Sequence, residues 1–177
     1  MKLAINRLAG YVVLGFALLM PVAHAAESNA KTPAATSSIM PGVYKVPLAK
    51  GVSMDDAVES MKLRANALNI KLVAELPLSK QVEAMVGSPQ RRMSIYQFCD
   101  ALTAKDLVEM NVDFAIFLPC RIALIEDKTG QAWLVMMDMN VKELAKTSKM
   151  TPELEKKITT IRNGLIEIVN AGANGDL

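Results

Sequence analysis

The chain predicts an α+β fold: an antiparallel sheet of about five strands with helices packed on one face, plus a C-terminal amphipathic helix. Three observations carry this. Short apolar runs of period two alternate with segments of helical period. Two of the runs flank a tight turn, Asp127-Lys128-Thr129-Gly130, as in an antiparallel hairpin. The helical segments are apolar on one side only, so each covers a sheet face and leaves its other side in water.

The elements follow in chain order. "VYKVPL", Val43 to Leu48, is a first strand. Ser53 caps a helix with Asp55 and Asp56 in its first turn, where carboxylates favour the positive end of the helix dipole. Val58, Met61, Ala65 and Leu68 form its apolar stripe, and Asn69 ends it. "IKLVAELPL" is a second strand, and Ser79 to Val86 is a short helix closed by Gly87. "RRMSIYQFCD" is a third strand, and Thr103 with Asp106 opens a helix that runs to about Met110. "DFAIFLPCRIALIED", Asp113 to Asp127, reads as one long fourth strand, and "QAWLVMMDM" is the fifth. Thr151 then caps a helix with Pro152 at its first position and Leu154, Ile158, Ile161, Leu165 and Ile168 on one stripe, ending near Gly172.

The N-terminus supplies an address. Lys2 and Arg7 precede an apolar run from about Leu8 to Met20, followed by Pro21 and the small-x-small triplet Ala23-His24-Ala25. Residues 1–25 therefore read as a signal peptide and the chain as periplasmic or secreted. Residues 26–41 read as a flexible spacer, 42–140 as the α+β domain and 141–177 as a C-terminal helical extension. The apolar run is short of the roughly 20 residues that a spanning helix needs, and no later segment reaches that length, so no membrane span is expected after signal removal.

Loss of the signal takes two of the 20 basic residues and none of the 18 acidic ones. The remaining chain is formally neutral, without the global charge that draws a protein to nucleic acid. The single histidine, His24, lies in the signal. Its removal excludes Ser-His-Asp and Cys-His catalysis, and zinc sites that need imidazole. No glycine-rich phosphate loop follows a strand, and no pair of carboxylates stands out as an acid/base couple. Met136, Met137 and Met139 with two cysteines offer soft sulfur of the kind Cu(I) takes. Strand alternation, however, sends Met136 to one face and Met137 and Met139 to the other. They read as core filler, and neither a metal nor a cofactor is expected.

The candidate site is the cysteine pair. Pro119 has no N–H to give a ladder, so it marks an edge or a bulge, and a bulge re-aims the next side chain, Cys120. Cys99 ends the preceding strand, which brings both cysteines toward one sheet edge. Three readings stand side by side: two small buried side chains, a structural disulfide, or a functional thiol pair. Arg121 is a candidate for orienting an anionic ligand there.

"GVSMDDAVESMKLRANALNIKLVAELPL", "FCDALTAKDL" and "FAIFLPCRIALIEDKTGQAWLVMMDMN" together resemble the domain of unknown function 302 family, over roughly residues 43–140. Cys99-Asp100-Ala101 departs from that family's usual Cys-Asn-Pro. The resemblance implies an α+β fold similar to the TATA-binding-protein-like class, often homodimeric and without an established activity. With the apolar character of both faces of the fifth strand, it supports a possible homodimer. The functional expectation is a small exported binding or accessory domain, taking an unknown small ligand or protein partner near Cys99 and Cys120 and catalysing no assignable reaction. The alternatives are a thiol-dependent redox or sulfur-carrier protein and a purely structural dimeric domain.

Overall fold

The computed structural model describes residues 33–36, 38, 40 and 42–176. The segment read as a signal peptide lies outside the described residues. The elements are β1 (Val43–Pro47), α1 (Met54–Ala67), β2 (Lys71–Leu76), α2 (Leu78–Val86), β3 (Met93–Cys99), α3 (Ala101–Met110), a 3-10 segment (Val112–Phe117), β4 (Cys120–Glu126), β5 (Ala132–Met137), α4 (Val141–Ser148) and α5 (Pro152–Asn174). The five strands form one sheet in the order β1-β5-β4-β3-β2, and each neighbouring pair is antiparallel. The expected α+β class is present, with the hairpin β4–β5 at the centre. β1 and β2 occupy opposite edges, so α1 must cross the whole sheet to join them.

Strand alternation divides the sheet into two unlike faces. Val46, Tyr96, Phe98, Ile122, Leu124, Leu134 and Met136 point to the inner face. There they meet Ala57, Val58, Met61 and Ala65 of α1 and Leu165, Ile168, Val169 and Ala173 of α5. Each fully buried aliphatic side chain contributes about 1.5–3 kcal/mol through apolar area removed from water. Gly172 sets how closely α5 approaches. A Cβ there would lie 2.6 Å from Met61 Cγ and 3.0 Å from the Ala57 carbonyl oxygen. The C-terminal helix thus shares the main core with the sheet, although the sequence reading set residues 141–177 apart as an extension.

The starts of α1 and α5 and the stop of α2 are those expected from sequence, while α5 runs past the expected stop at Gly172 to Asn174, with Gly175 as its left-handed cap. Ser53 and Asp56 form a reciprocal capping box, Gly87 closes α2 in the left-handed region, and the Thr151 side chain accepts from Leu154 N–H at 3.3 Å. The α3 start differs. Its cap is Asp100, whose Oδ1 accepts from Thr103 N–H at 2.8 Å, so Thr103 lies inside the first turn.

The long fourth strand is the main correction. Residues 112–117 form a 3-10 segment, opened by Asn111, whose side chain accepts from Asp113 N–H at 2.9 Å. Phe114 and Phe117, three apart, turn inward together as 3-10 geometry requires, with ring centroids 6.4 Å apart. Val112 and Ile116 stay exposed. Pro119 follows a cis peptide bond and precedes β4, where no ladder donor is required of it. It makes no bulge; the register shift among these strands falls in β2, between Leu72 and Ala74.

The helix α4 had no counterpart in the sequence reading. The Asn140 side chain caps it by accepting from Glu143 N–H at 3.1 Å. Val141 and Ala145 of α4 join Leu107, Phe114, Met150, Leu154 and Ile158 in a second, smaller core. This cap core stands at the end of the sheet where β3 ends and β4 begins.

Candidate functional site

A cavity of about 610 Å³ lies between the main core and the cap core. Its floor is the sheet end: Cys99, Cys120, Val135, Met136 and Met137. Its walls are Ala104 and Leu107 of α3, Phe114 and Phe117 of the 3-10 segment, Leu144 of α4, and Ile158, Ile161 and Leu165 of α5. Ile95 and Ala123 bring in the outer sheet face, so the cavity wraps around the end of the sheet and draws on both sides.

The structure brings Cys99 and Cys120 to this cavity together. Phe98 pairs with Cys120, which places Cys99 one rung away across the ladder. Strand spacing and rise then set their Cα atoms roughly 6 Å apart. Their side chains leave opposite faces, however. Cys120 packs with the main core beside Ile122, whereas Cys99 follows Ile95 and Gln97 on the outer face. Both are free thiols. Burial pushes the Cys120 thiol up to about 11, and the nearby Cys99 adds to the rise while Arg121 opposes it. Burial also raises Cys99, with Asp100 adding to the effect. Both groups are therefore protonated at neutral pH, the opposite of the depressed pKa that primes a thiolate nucleophile.

Arg121 lies on the outer face, exposed at the cavity, and makes no ion pair with any of the described residues. The sequence reading missed a second arginine at the wall. Arg162 of α5 donates from Nε to Asp138 Oδ1 at 2.6 Å, and the pair is about two-thirds buried. Asp138 follows β5, so this contact ties α5 to the sheet beside the cavity. Arg162 stands one position past Ile161 of the α5 stripe, a charged residue at the border of an apolar face. That placement is the only sequence signal for it. Among the described residues, no group of three or more histidine, cysteine or carboxylate side chains could hold a metal. No helix among them is long and apolar enough to cross a membrane.

With this geometry in hand, the comparisons agree on family and fold. The model of the family described as "Domain of unknown function DUF302" matches residues 44–171. The match runs through α4 and most of α5, beyond the segment that carried the resemblance in sequence. A crystal structure of an uncharacterized conserved DUF302 protein from Bacillus stearothermophilus superposes with a TM-score of 0.59 at 16% identity, covering 75% of this chain and 98% of that one. At that identity the likeness speaks for the fold alone. No curated protein matches the chain. The chain belongs to the DUF302 family.

Proposed function

We propose, for this DUF302 member, a small exported binding module that catalyses no assignable reaction and takes an apolar small ligand in the cavity beside Cys99 and Cys120. One observation carries the reading: about 610 Å³ of space walled mainly by aliphatic, aromatic and sulfur side chains, with a few polar groups among them. Ligand pockets have this size and this make-up. Thr103 and Asp100 on α3, Arg121 on β4 and the Arg162–Asp138 pair are the polar groups within reach of a ligand. Arg121, without an ion-pair partner among the described residues, is the group able to orient a polar end. Export is supported by Lys2, Arg7, the apolar run and Ala23-His24-Ala25. The raised thiols weigh against the thiol-dependent alternative.

A second observation favours a homodimer. Val43, Ile95, Ala123, Ile125, Trp133 and Val135 make the outer sheet face apolar, yet no helix core covers it. A solvated face of an antiparallel sheet is normally polar. A second copy laid on this face would bury it and roof the open side of the cavity.

The test is titration of the chain with an apolar fluorescent probe, beside Ala104→Phe and Ala123→Phe, which fill the cavity from opposite walls. Both variants should keep the far-ultraviolet circular dichroism and lose at least about tenfold in probe affinity, since a ring inserted into the site removes its contacts. Unchanged binding in both variants would dismiss the cavity as the site. Sedimentation of the unaltered chain should give a dimer mass, and a monomer at all concentrations would remove the second copy.

A further inference from the structure

A second cleft, of about 590 Å³, lies where α2 joins β2 to β3, at the sheet edge away from β1. Unlike the first, it is lined mainly by polar residues. Asp55 comes from α1, Glu75 from β2, Lys80 and Glu83 from α2, and Arg92 stands just ahead of β3. Every charged side chain here already has a partner. Arg92 pairs with Asp55, Lys80 with Glu83 at 2.9 Å, and Glu75 with Lys62 of α1 at 3.1 Å. The cleft thus presents no uncompensated charge.

Its hydroxyls are the groups left over. Ser79 of α2 and Ser94 of β3 are only 5% and 6% exposed, and neither hydroxyl makes a hydrogen bond to any of the described residues. No buried side-chain oxygen or nitrogen among those residues is sealed off without a partner, so both Oγ atoms open onto the cleft that their residues line. Tyr96 adds a third hydroxyl. Its oxygen accepts from Arg92 at 3.2 Å, which leaves its own hydrogen to donate. Ser94 and Tyr96, two apart on β3, share the inner face, and Tyr96 stands opposite Glu75 on β2. A hydroxyl held away from bulk water and left unpaired costs free energy, so a group that supplies its partner is favoured there.

We propose that this cleft binds a neutral sugar, a mono- or disaccharide. Sugar hydroxyls both donate and accept. They can accept from Ser79, Ser94 and Tyr96, and donate to the carboxylate lone pairs that Glu75 and Glu83 keep beyond their ion pairs. Leu76 and Pro77 give the cleft an apolar side for the C–H face of a ring. A charged ligand fits less well, because it must open an existing pair or sit beside its own charge. The volume falls in the range of small-ligand sites, about 300–1,000 Å³. The cleft shares no residue with the apolar cavity, and the proposal does not depend on that reading.

The ¹⁵N-labelled chain is titrated by nuclear magnetic resonance with glucose, galactose, mannose, N-acetylglucosamine, maltose and lactose. At least one should shift the amides of Ser79, Lys80 and Ser94 saturably. The uronate and the amino sugar of the same ring should bind at least about tenfold more weakly, since each meets an unlike charge only by breaking a pair. Ser79→Ala, Ser94→Ala and Tyr96→Phe should each weaken binding by up to about tenfold, the loss of one hydrogen bond. Circular dichroism checks the fold of each variant. Should a serine variant unfold, Tyr96→Phe and the comparison of neutral with charged sugars on the unaltered chain decide the matter. Unmoved amides with all six sugars would mean that the cleft holds water only. A charged sugar bound as tightly as its neutral parent, or full affinity in a folded Ser79→Ala/Ser94→Ala double variant, would equally overturn the site.

Discussion

The two halves of α5 sit in different surroundings. Its C-terminal half enters the main core, where Ile168, Val169 and Ala173 are 0% exposed. Its N-terminal half enters the cap core, where Leu154 and Ile158 keep 8% and 6% exposure. The main core joins a five-stranded sheet to two long helices, from segments spread over the whole domain. The cap core joins α3 and the 3-10 segment to α4 and the first turns of α5, across the intervening β4–β5 hairpin. One helix serves both, and the cavity is the seam between them. A cavity at such a seam follows from packing. Two bodies that each satisfy their own side chains leave a gap where neither is shaped to fill the other.

The comparison is sharpest in paired truncations. Phe98→Ala opens the centre of the main core and should cost about 3–5 kcal/mol in denaturant unfolding. Phe114→Ala in the cap should fall at or below the lower end of that range, because the cap has room to collapse toward the cavity. Equal costs would show one cooperative core rather than two.

A smaller effect is expected where α5 meets α1. Gly172→Ala should destabilise by about 1–3 kcal/mol, as the new methyl meets the Ala57 carbonyl and the Met61 side chain, which the improved helix propensity does not offset. Gly164→Ala should cost much less, since the atom in its way is the mobile end of Ile70. A neutral Gly172→Ala in thermal melts would mean that the α1–α5 approach is looser than the packing shows.

The smallest effect concerns the hairpin at the far end of the sheet from the cavity. Asp127 accepts from Thr129 Oγ1 at 2.6 Å, Trp133 Nε1 at 2.8 Å and Thr129 N–H at 2.8 Å, which together lower its carboxyl to about 2. Its folded pKa lies below the unfolded one. Its contribution is therefore present above about pH 4 and is lost as the pH falls through about 2. Asp127→Asn should flatten that part of the melting-temperature profile while leaving probe binding at the cavity unchanged. Altered probe binding would mean that the two ends are coupled.

The same division separates what was legible in the sequence from what was not. Helices with a cap and a long apolar stripe, such as α1 and α5, were readable because Ser53 and Thr151 satisfy free N–H groups and the stripe repeats over several turns. The hairpin was readable from Asp127 to Gly130. The cap was not. "DFAIF" is as apolar as a strand, and its turn depends on Asn111 closing onto Asp113, with Phe114 and Phe117 three apart. The Asn140-to-Glu143 spacing was an available signal for α4, overshadowed by the longer helix after it. Of the candidate site, Cys99, Cys120 and Arg121 were named from sequence and all reach the cavity, while Arg162, Asp138 and the cavity walls were not.

The sequence by itself determined the family, the α+β class, the order of the strands along the chain and the apolar stripes of α1 and α5, because these follow from local periodicity and from caps that act within a few residues. It also determined that residues after the signal-like segment hold no histidine. Only the tertiary structure decided that α5 completes the main core, that residues 112–117 turn instead of extending, and that two cysteines leaving opposite faces of a sheet meet at one cavity. Those outcomes depend on contacts between segments far apart in sequence, where the competition between burying one face or another is settled by the assembled fold and by no single stretch of it.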